Sequence, residues 1–312
     1  MNHPLVSLFC PTYNHEKYIR QCLDGFIMQK TNFPFEIVVH DDASTDNTVQ
    51  IIKEYEEKYP QFFRCIYQTQ NQFSKDGAHL IKTILSEIHT KYITICEGDD
   101  YWITDDKLQE QFNCMETHPK LSFCYTNANN LIEGEDGLIQ MITNKPNFHI
   151  FDFDYFTKES SLLIPTLTLF IRRDAFFETV PTWFKTTFNL DYALICFLFQ
   201  KGNVAYIDKV TAVYRNHRNG ITKITKHDIQ IRNGIQLAKN LDKHFNYKYH
   251  HYFNLQWRYQ ALTLYYLQKR MFLKGISYLI LSFIRKPIEV LKDIRFQKNI
   301  YKVLFRKFIM YN

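Results

Sequence analysis

The first half of the chain alternates short apolar runs with segments of helical periodicity. The apolar runs contain few polar residues, which is typical of strands covered on both faces of a sheet. They are Leu5–Phe9, Glu36–His40, Phe63–Gln68, Tyr92–Cys96 and Leu121–Tyr125. The helical segments are Glu16–Gln29, Thr45–Lys58 (with Ser44 as its expected N-cap), Asp76–Ile88 and Thr104–Thr117. This alternation predicts an α/β fold with a mostly parallel sheet flanked by helices.

The second half of the chain follows a less regular pattern before it becomes helical throughout. Its elements are predicted as a loop over Glu133–Asn147, strands over Thr168–Arg172 and Val204–Lys209, and a helix over Asn189–Lys201 that ends at Gly202. Polar residues around Thr222–Asp228 mark the best boundary. We therefore predict an α/β domain over residues 1–225 and a helical extension over residues 226–312.

The composition is that of a globular protein, with 312 residues of which 46% are hydrophobic and 22% charged. No uncharged stretch approaches the roughly 20 residues of a membrane-spanning helix, and we expect no signal peptide because a basic, apolar leader is missing. The seven cysteines are scattered without a CxxC pair. This spacing predicts neither a zinc site nor a disulfide framework and favours a cytoplasmic location.

Positive charge is concentrated at the C-terminus. Residues 270–312 carry ten Lys and Arg against two acidic residues, whereas the whole chain has a net charge of +6. Apolar and basic residues alternate at near-helical spacing over Ile288–Phe308, a pattern that binds anionic membrane surfaces. A solvated helix face or a dimer contact would give the same pattern. Nucleic acid is not predicted as a partner because no recognised binding motif accompanies the charge.

Two acidic clusters follow two of the predicted strands. Asp41 and Asp42 come directly after one strand, and Glu97, Asp99 and Asp100 come after another. In a parallel sheet both clusters reach the crevice at the carboxyl ends of the strands. Two carboxylates about 4 Å apart repel by roughly 4 kcal/mol at an effective dielectric constant of 20. A divalent cation such as Mg²⁺ or Mn²⁺ would relieve that repulsion, although such acids also occur as solvated loop residues.

Several common catalytic motifs are missing from the sequence. There is no GxG pair of a dinucleotide site, no GxxxxGK[ST] phosphate loop and no GxSxG nucleophile elbow. The stretch Asp42–Asp46 begins like a calcium loop, but Asn47 stands where such loops need glycine. These absences leave the acidic crevice as the principal candidate site.

Four sets of motifs in residues 5–222 resemble the family 2 glycosyltransferases, which have the GT-A fold. They are Val6–Asn14 with Tyr18-Ile19, Glu36–Thr48, the acidic motif Cys96–Trp102 with Lys107-Leu-Gln, and Asp191 with Gly202, Tyr206–Asp208 and Tyr214–His217. The acidic motif is similar to that of a bacterial subgroup of the family. The resemblance implies a transfer of sugar from a nucleotide donor to an acceptor.

The resemblance also implies which residues bind the donor. Pro11, Thr12 and Tyr13 would line the nucleotide pocket, and Asp41 or Asp42 would accept a hydrogen bond from the base, expected to be uracil. Arg215 would face the donor's diphosphate.

The same resemblance assigns the metal ligands. Asp99 would bind Mn²⁺ or Mg²⁺ between the donor phosphates, with His217 and Glu97 as further ligands, and Asp100 would contact the metal or the donor sugar. Glu97 stands where the family often has aspartate, and its longer side chain still supplies a carboxylate.

Asp191 is the implied general base, because an acceptor hydroxyl is a poor nucleophile until its proton is removed. Many relatives have Glu-Asp here, where this chain has Leu190-Asp191. Glu159 and Asp174 are rival bases. A base and a cation on opposite sides of the anomeric carbon predict inversion of configuration without a covalent intermediate.

We therefore predict an inverting, metal-dependent glycosyltransferase. Its donor is expected to be a UDP-sugar, and its acceptor a glycan or lipid-linked glycan of cell-surface polysaccharide synthesis. We expect the enzyme to act in the cytoplasm, at the inner face of the cytoplasmic membrane. A catalytically silent nucleotide- or glycan-binding protein of this fold is the alternative. A nucleotidyltransferase is disfavoured, because the turn over Pro11–Glu16 lacks the glycines of that class.

Overall fold

The computed structural model describes residues 3–142, 148–158, 163–176, 180–187, 189–253 and 255–305. The chain divides into two units. The α/β unit comprises residues 1–186 and 190–220, and the helical unit comprises residues 187–189 and 221–312.

A ten-stranded sheet forms the centre of the α/β unit. Its strands are β1 (Val6–Thr12), β2 (Phe35–Asp41), β3 (Phe63–Tyr67), β4 (Tyr92–Ile95), β5 (Tyr101–Trp102), β6 (Leu121–Ile132), β7 (Ile139–Gln140), β8 (Phe148–Phe151), β9 (Phe170–Arg172) and β10 (Asn203–Asn216). The order is β3-β2-β1-β4-β9-β6-β10-β5, with β7 paired to β6 and β8 paired to β10. Strands β1 to β4, β6 and β10 share one direction, whereas the four others run against them. The predicted, mostly parallel α/β sheet is confirmed.

Helices flank this sheet. They are α1 (Ile19–Ile27), α2 (Thr48–Lys58), α3 (His79–Glu87), α4 (Lys107–Thr117), α5 (Phe153–Lys158) and α6 (Leu190–Leu198), with 3₁₀ helices over Thr166–Thr168, Arg173–Ala175 and Thr182–Thr186. In α1 the buried residues Ile19, Cys22, Leu23 and Phe26 recur at helical spacing. They join alternate residues of β1, such as Leu8 and Cys10, in one hydrophobic core.

The element boundaries differ from the sequence prediction at several places. Strand β1 continues through Pro11 and Thr12, which therefore pair with β2 instead of forming a turn. Ser44 is not the N-cap of α2, because that helix begins at Thr48 and its N-cap position is Asn47. The predicted loop over Glu133–Asn147 contains the short strand β7, and its residues 143–147 lie outside the described part of the chain.

In its described residues, the helical unit has six helices. They are α7 (Ile221–Ile224), α8 (His227–His244), α9 (Gln256–Gln268), α10 (Phe272–Arg285), α11 (Pro287–Lys292) and α12 (Ile294–Phe305). Within the described residues, no helix combines the length and apolar character required to cross a bilayer.

Candidate functional site

The carboxyl ends of β1, β2 and β4 meet at one edge of the sheet, as their parallel pairing requires. The loops that leave these strands bring together the residues predicted to act on the donor. The acidic turn, defined here as Glu97–Asp100, follows β4 and is tied to β1 by a hydrogen bond from the Gly98 amide to the Pro11 carbonyl (3.0 Å). This edge is therefore the candidate site.

Gly98 allows the acidic turn to lie directly against β1. A Cβ atom at this position would stand 2.6 Å from Thr12 Oγ1 and 2.9 Å from Thr12 Cβ. Real Cβ atoms do not approach so closely, so a larger residue would push the turn away from the strand. The close contact fixes the positions of the flanking carboxylates.

Asp99 lies between two imidazoles. His217 Nε2 donates to Asp99 Oδ2 at 3.0 Å, and His15 Nε2 lies 3.7 Å from the same oxygen. Burial by itself would raise the pKa of Asp99, but the hydrogen bond from His217 and the charge of His15 hold it below its usual value. Asp99 is thus kept ionised beside two imidazole nitrogens.

His15 is a site residue that the sequence reasoning missed. It follows β1 in a loop, where neither periodicity nor spacing distinguishes it from a surface histidine. Its Nδ1 lies 3.1 Å from Thr12 Oγ1 and its backbone amide donates to Thr48 Oγ1 (2.8 Å). Burial lowers the pKa of His15, against the opposing charge of Asp99.

Hydrogen bonds brace the loops after β1 and β2 against each other. The Asn14 amide donates to Ser44 Oγ (2.9 Å), and the Thr45 amide donates to Asn14 Oδ1 (2.7 Å). The Glu16 amide donates to Asp46 Oδ2 (3.1 Å). Asn14 adopts a left-handed conformation with φ of 56°. These contacts join residues about thirty positions apart and give the crevice a fixed wall.

The neighbouring carboxylates Asp41 and Asp42 are used differently. Both oxygens of Asp42 accept backbone hydrogen bonds, from Gln72 at 2.7 Å and from Phe73 at 3.0 Å. Asp41 Oδ2 accepts from the Ser44 amide (3.0 Å), while its buried Oδ1 has no hydrogen-bond donor among the described residues. Asp41 therefore retains an open acceptor, and Asp42 fastens the loop that follows β3.

Arg215 links the end of β10 to the acidic turn. Its backbone amide donates to Asp100 Oδ1 (2.8 Å) and its guanidinium donates to the Asp99 carbonyl (2.5 Å). The guanidinium also stacks on Tyr101, with its carbon 4.3 Å from the ring centroid. Burial raises the pKa of Asp100, as do the charges of Asp99 and Glu97.

Asp191 stands at the start of α6, and the structure brings it within electrostatic range of Glu97. Burial raises the pKa of Glu97 to about 7, with Asp99 and then Asp191 as the charges that add to the effect. The Asp191 carboxyl is open to solvent and accepts a hydrogen bond from Thr166 Oγ1 at 3.5 Å. Although the side chain is exposed, the protein atoms packed around the carboxyl raise its pKa, which suits a group that must take up a proton.

One of the two rival bases lies away from the acidic turn, since β9, which precedes it, runs antiparallel to β4 and ends beside Tyr92. Asp174 is exposed in the 3₁₀ helix over Arg173–Ala175. Glu159 lies outside the described residues. Tyr13 is 42% exposed beside the crevice, next to the buried Pro11 and Thr12.

The side chains around Asp99 are of the kinds that bind a hard or borderline cation, but they do not form a complete metal site. Carboxylate and imidazole ligands, as at Asp99 and His217, fit Mn²⁺. Within the described ranges, no three His, Cys, Asp or Glu side chains are arranged to hold an ion. His217 Nδ1 is buried without a hydrogen-bond partner there, and Nε2 is occupied by Asp99. A cation held by Asp99 Oδ2 and His217 Nε2 would thus replace the hydrogen bond between these two atoms.

Lys107 lies in the core against Trp102 of β5, the strand that follows the acidic turn. It is fully buried, its Nζ donates to Gln111 Oε1 (2.5 Å), and it lies 4.1 Å from the centroid of the Trp102 ring. Burial lowers the pKa of Lys107 to about 7. No carboxylate pairs with it in the described part of the chain.

A comparison with protein families finds that residues 7–177 match the model described as Glycosyl transferase family 2. An uncharacterized protein of Mycobacterium tuberculosis (strain ATCC 25618 / H37Rv) is 34% identical over 221 residues, which are 69% of this chain and 60% of that protein. The chain thus matches only three fifths of this relative's length. The putative teichuronic acid biosynthesis glycosyltransferase TuaG of Bacillus subtilis is 26% identical over 70% of this chain and 82% of its own.

Solved structures share the fold. TarS 1-349 of S. aureus in complex with UDP-GlcNAc has a TM-score of 0.56 and 17% identity, covering 75% of this chain and 65% of its own. The mannosyltransferase PcManGT from Pyrobaculum calidifontis, in complex with GDP-Man and Mn²⁺, also has a TM-score of 0.56, with 16% identity over 98% of this chain and 89% of its own. The α/β unit described above therefore has the GT-A glycosyltransferase fold that the sequence resemblance implied.

Proposed function

The chain belongs to glycosyl transferase family 2, and from that premise we propose that it transfers a sugar from a UDP-linked donor with inversion of configuration. The observation that supports this most directly is the acidic turn at the carboxyl ends of β1 and β4, where Asp99 accepts a hydrogen bond from His217 at 3.0 Å. The charge of Asp191 adds to the raised pKa of Glu97 in this turn, which supports Asp191 as the candidate base.

The nucleotide base would bind at the end of β2. Asp41 Oδ1 is a buried acceptor without a donor among the described residues, so a ligand N–H is its expected partner. Uracil presents such a group at N3. We propose Asp41 for this contact over Asp42, whose two oxygens already accept backbone hydrogen bonds. Pro11, Thr12 and Tyr13 would line the same pocket.

The diphosphate would bind over the acidic turn. Asp99 and His217 would hold Mn²⁺ or Mg²⁺, with Glu97 as a further carboxylate, and the ion would neutralise charge on the leaving group. Arg215 adds a positive charge that its contacts with the Asp99 carbonyl and Tyr101 hold in place. Asp100, hydrogen-bonded to the Arg215 amide, would set the turn against the donor sugar.

Asp191 would act as the general base. In the proposed step the acceptor oxygen forms a bond to the anomeric carbon, the bond from that carbon to the diphosphate oxygen breaks, and the hydroxyl proton passes to Asp191. The raised pKa of Asp191 makes its carboxylate a better proton acceptor than an ordinary aspartate. Attack opposite the leaving group gives inversion without a covalent intermediate.

The proposed acceptor is a glycan or lipid-linked glycan of cell-surface polysaccharide synthesis, as the name of the B. subtilis relative suggests. A lipid-linked acceptor would place the chain at the inner face of the cytoplasmic membrane. Exposed apolar residues of the helical unit, including Leu273, Ile284 and Ile288, support contact with an anionic membrane surface because lysines and arginines alternate with them.

Titration calorimetry with UDP tests the donor site. We expect the wild type to bind UDP more tightly with Mn²⁺ than without it, and Asp99→Ala to lose that dependence. Asp136→Asn is the control, because Asp136 is exposed in the loop before β7. Binding of GDP or dTDP in place of UDP would reassign the nucleotide. Failure to bind any of the three would contradict a glycosyl-transfer site and favour a silent protein of this fold.

Release of UDP from UDP-sugars then separates enzyme from binder. Turnover in the wild type that is lost in Asp191→Asn, with UDP affinity kept, would support catalysis through Asp191. UDP binding without turnover of any donor would support the silent-binder alternative.

A further inference from the structure

The helical unit contains a basic cavity that takes no part in the proposed transfer. It has a volume of about 320 Å³ and lies between the C-terminal half of α8, the segment that follows it, and the end of α10. Its charged lining consists of Lys239, Asp242, Lys243, His250, Arg285 and Lys286. Phe253 and Leu255 add an apolar wall. A volume of this size admits a small charged group.

Positive charge in the cavity exceeds negative charge. Four Lys and Arg side chains face one carboxylate, Asp242, which is buried and accepts a hydrogen bond from His250 Nδ1 at 2.6 Å. Lys286 Nζ pairs with Glu289 at 2.7 Å. For the other three cations, Lys239, Lys243 and Arg285, the described residues supply no ion pair.

The positions of Lys239 and Lys243 in the cavity are electrostatically unfavourable. Lys239 and Lys243 are four residues apart on α8, so their like charges lie on one face of the helix and repel. Capping of the helix does not require them. The last carbonyls of α8 accept backbone hydrogen bonds from Phe245, Asn246 and Tyr247. An anion in the cavity would relieve the repulsion, since ammonium groups form short, charge-assisted bonds with phosphate oxygens.

Apolar residues flank the basic rim. Ile284 precedes Arg285 and is 72% exposed, and Ile288 follows Lys286 and is 65% exposed. Within five residues the chain thus offers two cations to the cavity and two aliphatic side chains to solvent. A molecule that combines a phosphate with a hydrocarbon chain would satisfy both.

We infer that this cavity binds the phosphate group of an anionic membrane lipid. The inference deepens the membrane contact proposed above by assigning it a defined headgroup site, and it does not depend on sugar transfer. It predicts that removing positive charge from the cavity weakens binding to anionic vesicles more than removing the same charge elsewhere on the helical unit.

Vesicle sedimentation with the full chain tests this prediction. The vesicles contain phosphatidylcholine alone or phosphatidylcholine with phosphatidylglycerol. The double variant Lys239→Gln/Lys243→Gln is compared with Lys292→Gln/Lys298→Gln, which removes two exposed lysines of α11 and α12 that do not line the cavity. Non-specific attraction predicts equal losses for equal charge. A headgroup site predicts that the cavity variant loses about tenfold more affinity for anionic vesicles, which is one strong charged contact.

Equal losses in the two variants, or equal wild-type binding to both kinds of vesicle, would overturn the inference. A soluble source is separated by titrating inorganic phosphate against chloride at matched ionic strength. Phosphate binding that is lost in the cavity variant while its vesicle binding is unchanged would assign the cavity to free phosphate and overturn the lipid. Circular dichroism checks that both variants fold. UDP affinity, measured alongside, reports on the donor site separately, so failure of one proposal is distinguishable from failure of the other.

Discussion

The two units of the chain depart from the usual pattern of burial in different ways. In the α/β unit, Asp100 and Lys107 are almost completely buried near the acidic turn. In the helical unit, large apolar side chains remain in solvent, and Leu273 of α10 is 87% exposed. Burying a charge costs free energy, and so does leaving apolar surface in water. The α/β unit therefore carries this cost most clearly at its buried charges, and the helical unit at its exposed apolar side chains.

The difference indicates where each unit interacts with other molecules. The α/β unit holds its charges in place through neighbours such as Arg215, Trp102 and Gln111, which suits a rigid ligand site. The helical unit presents alternating apolar and basic residues outward, which suits a surface. Variants that separate these two uses test the comparison.

The largest expected effect concerns catalysis in the α/β unit. Replacing Asp191 with asparagine removes the proposed proton acceptor, so we expect turnover to fall by about 10²- to 10⁴-fold. UDP affinity should remain, because the nucleotide would bind at Asp41 and the acidic turn. UDP release from the donor measures the rate, and calorimetry measures the affinity.

Two further variants serve as controls for the Asp191→Asn result. Asp174→Asn should keep full turnover, since Asp174 follows β9 at the amino end of β4, away from the acidic turn. Ile284→Gln in the helical unit should weaken vesicle binding and leave UDP affinity unchanged. An Asp191→Asn enzyme as fast as the wild type would exclude Asp191 as the base.

The fold class could be predicted from sequence because its signals are local. Apolar runs such as Tyr92–Cys96 and the helical spacing of Ile19, Cys22 and Phe26 report burial within a few residues. The family membership followed from motifs of the same short range and is confirmed. The roles of the individual site residues stay predictions.

Contacts between distant segments were not visible in the sequence. His15 is recognised as a site residue only through its contact with Asp99, which lies more than eighty positions away in the sequence. Ser44 is a residue type that is common at N-caps. Its hydroxyl instead accepts a hydrogen bond from the Asn14 amide, and helix α2 begins later, at Thr48. A lysine is normally expected at the surface because of its charge. The complete burial of Lys107 depends on its packing against Trp102, which the sequence does not show.

A further effect of similar size tests how closely the acidic turn lies against β1. Gly98→Ala places a methyl group 2.6 Å from Thr12 Oγ1, so we expect the unfolding free energy to fall by about 1 to 3 kcal/mol. We also expect metal-dependent UDP binding to weaken, because Asp99 would shift with the turn. Thr12→Ala/Gly98→Ala should recover part of the loss of stability by removing Thr12 Oγ1, the atom nearest to the added methyl group. Wild-type stability and UDP affinity in Gly98→Ala would contradict the close contact.

Lys107 makes the stability of the α/β unit depend on pH. The pKa of Lys107 is lowered to about 7, so burial of its ammonium destabilises the folded state most below pH 7. The penalty decreases as pH rises toward the unfolded value of about 10.5, because the folded state has already released the proton. Between pH 7 and 9 the wild type should therefore gain about 2 to 3 kcal/mol of unfolding free energy from this group.

Lys107→Met removes that gain. Denaturant unfolding at pH 7 and pH 9 should show the wild type improving relative to the variant as the pH rises. Lys201→Met, at an exposed position, is the matched control and should follow the wild type. Parallel stability curves for Lys107→Met and the wild type would show that the buried amine does not titrate in this range.

The smallest expected effect compares left-handed residues in the two units. Ala43 has φ of 64° in the loop after β2, and Arg270 has φ of 59° just beyond α9, where the Met271 amide donates to the Tyr266 carbonyl (2.8 Å). Glycine adopts this conformation without steric cost, so each change to glycine should stabilise its unit by about 0.5 to 1 kcal/mol. Only Ala43 stands beside the carboxylate proposed to bind the base. Ala43→Gly should therefore weaken UDP binding by loosening Asp41 while it raises stability, whereas Arg270→Gly should raise stability alone. Equal UDP affinity in the two variants would mean that the conformation of Ala43 serves folding and not the site.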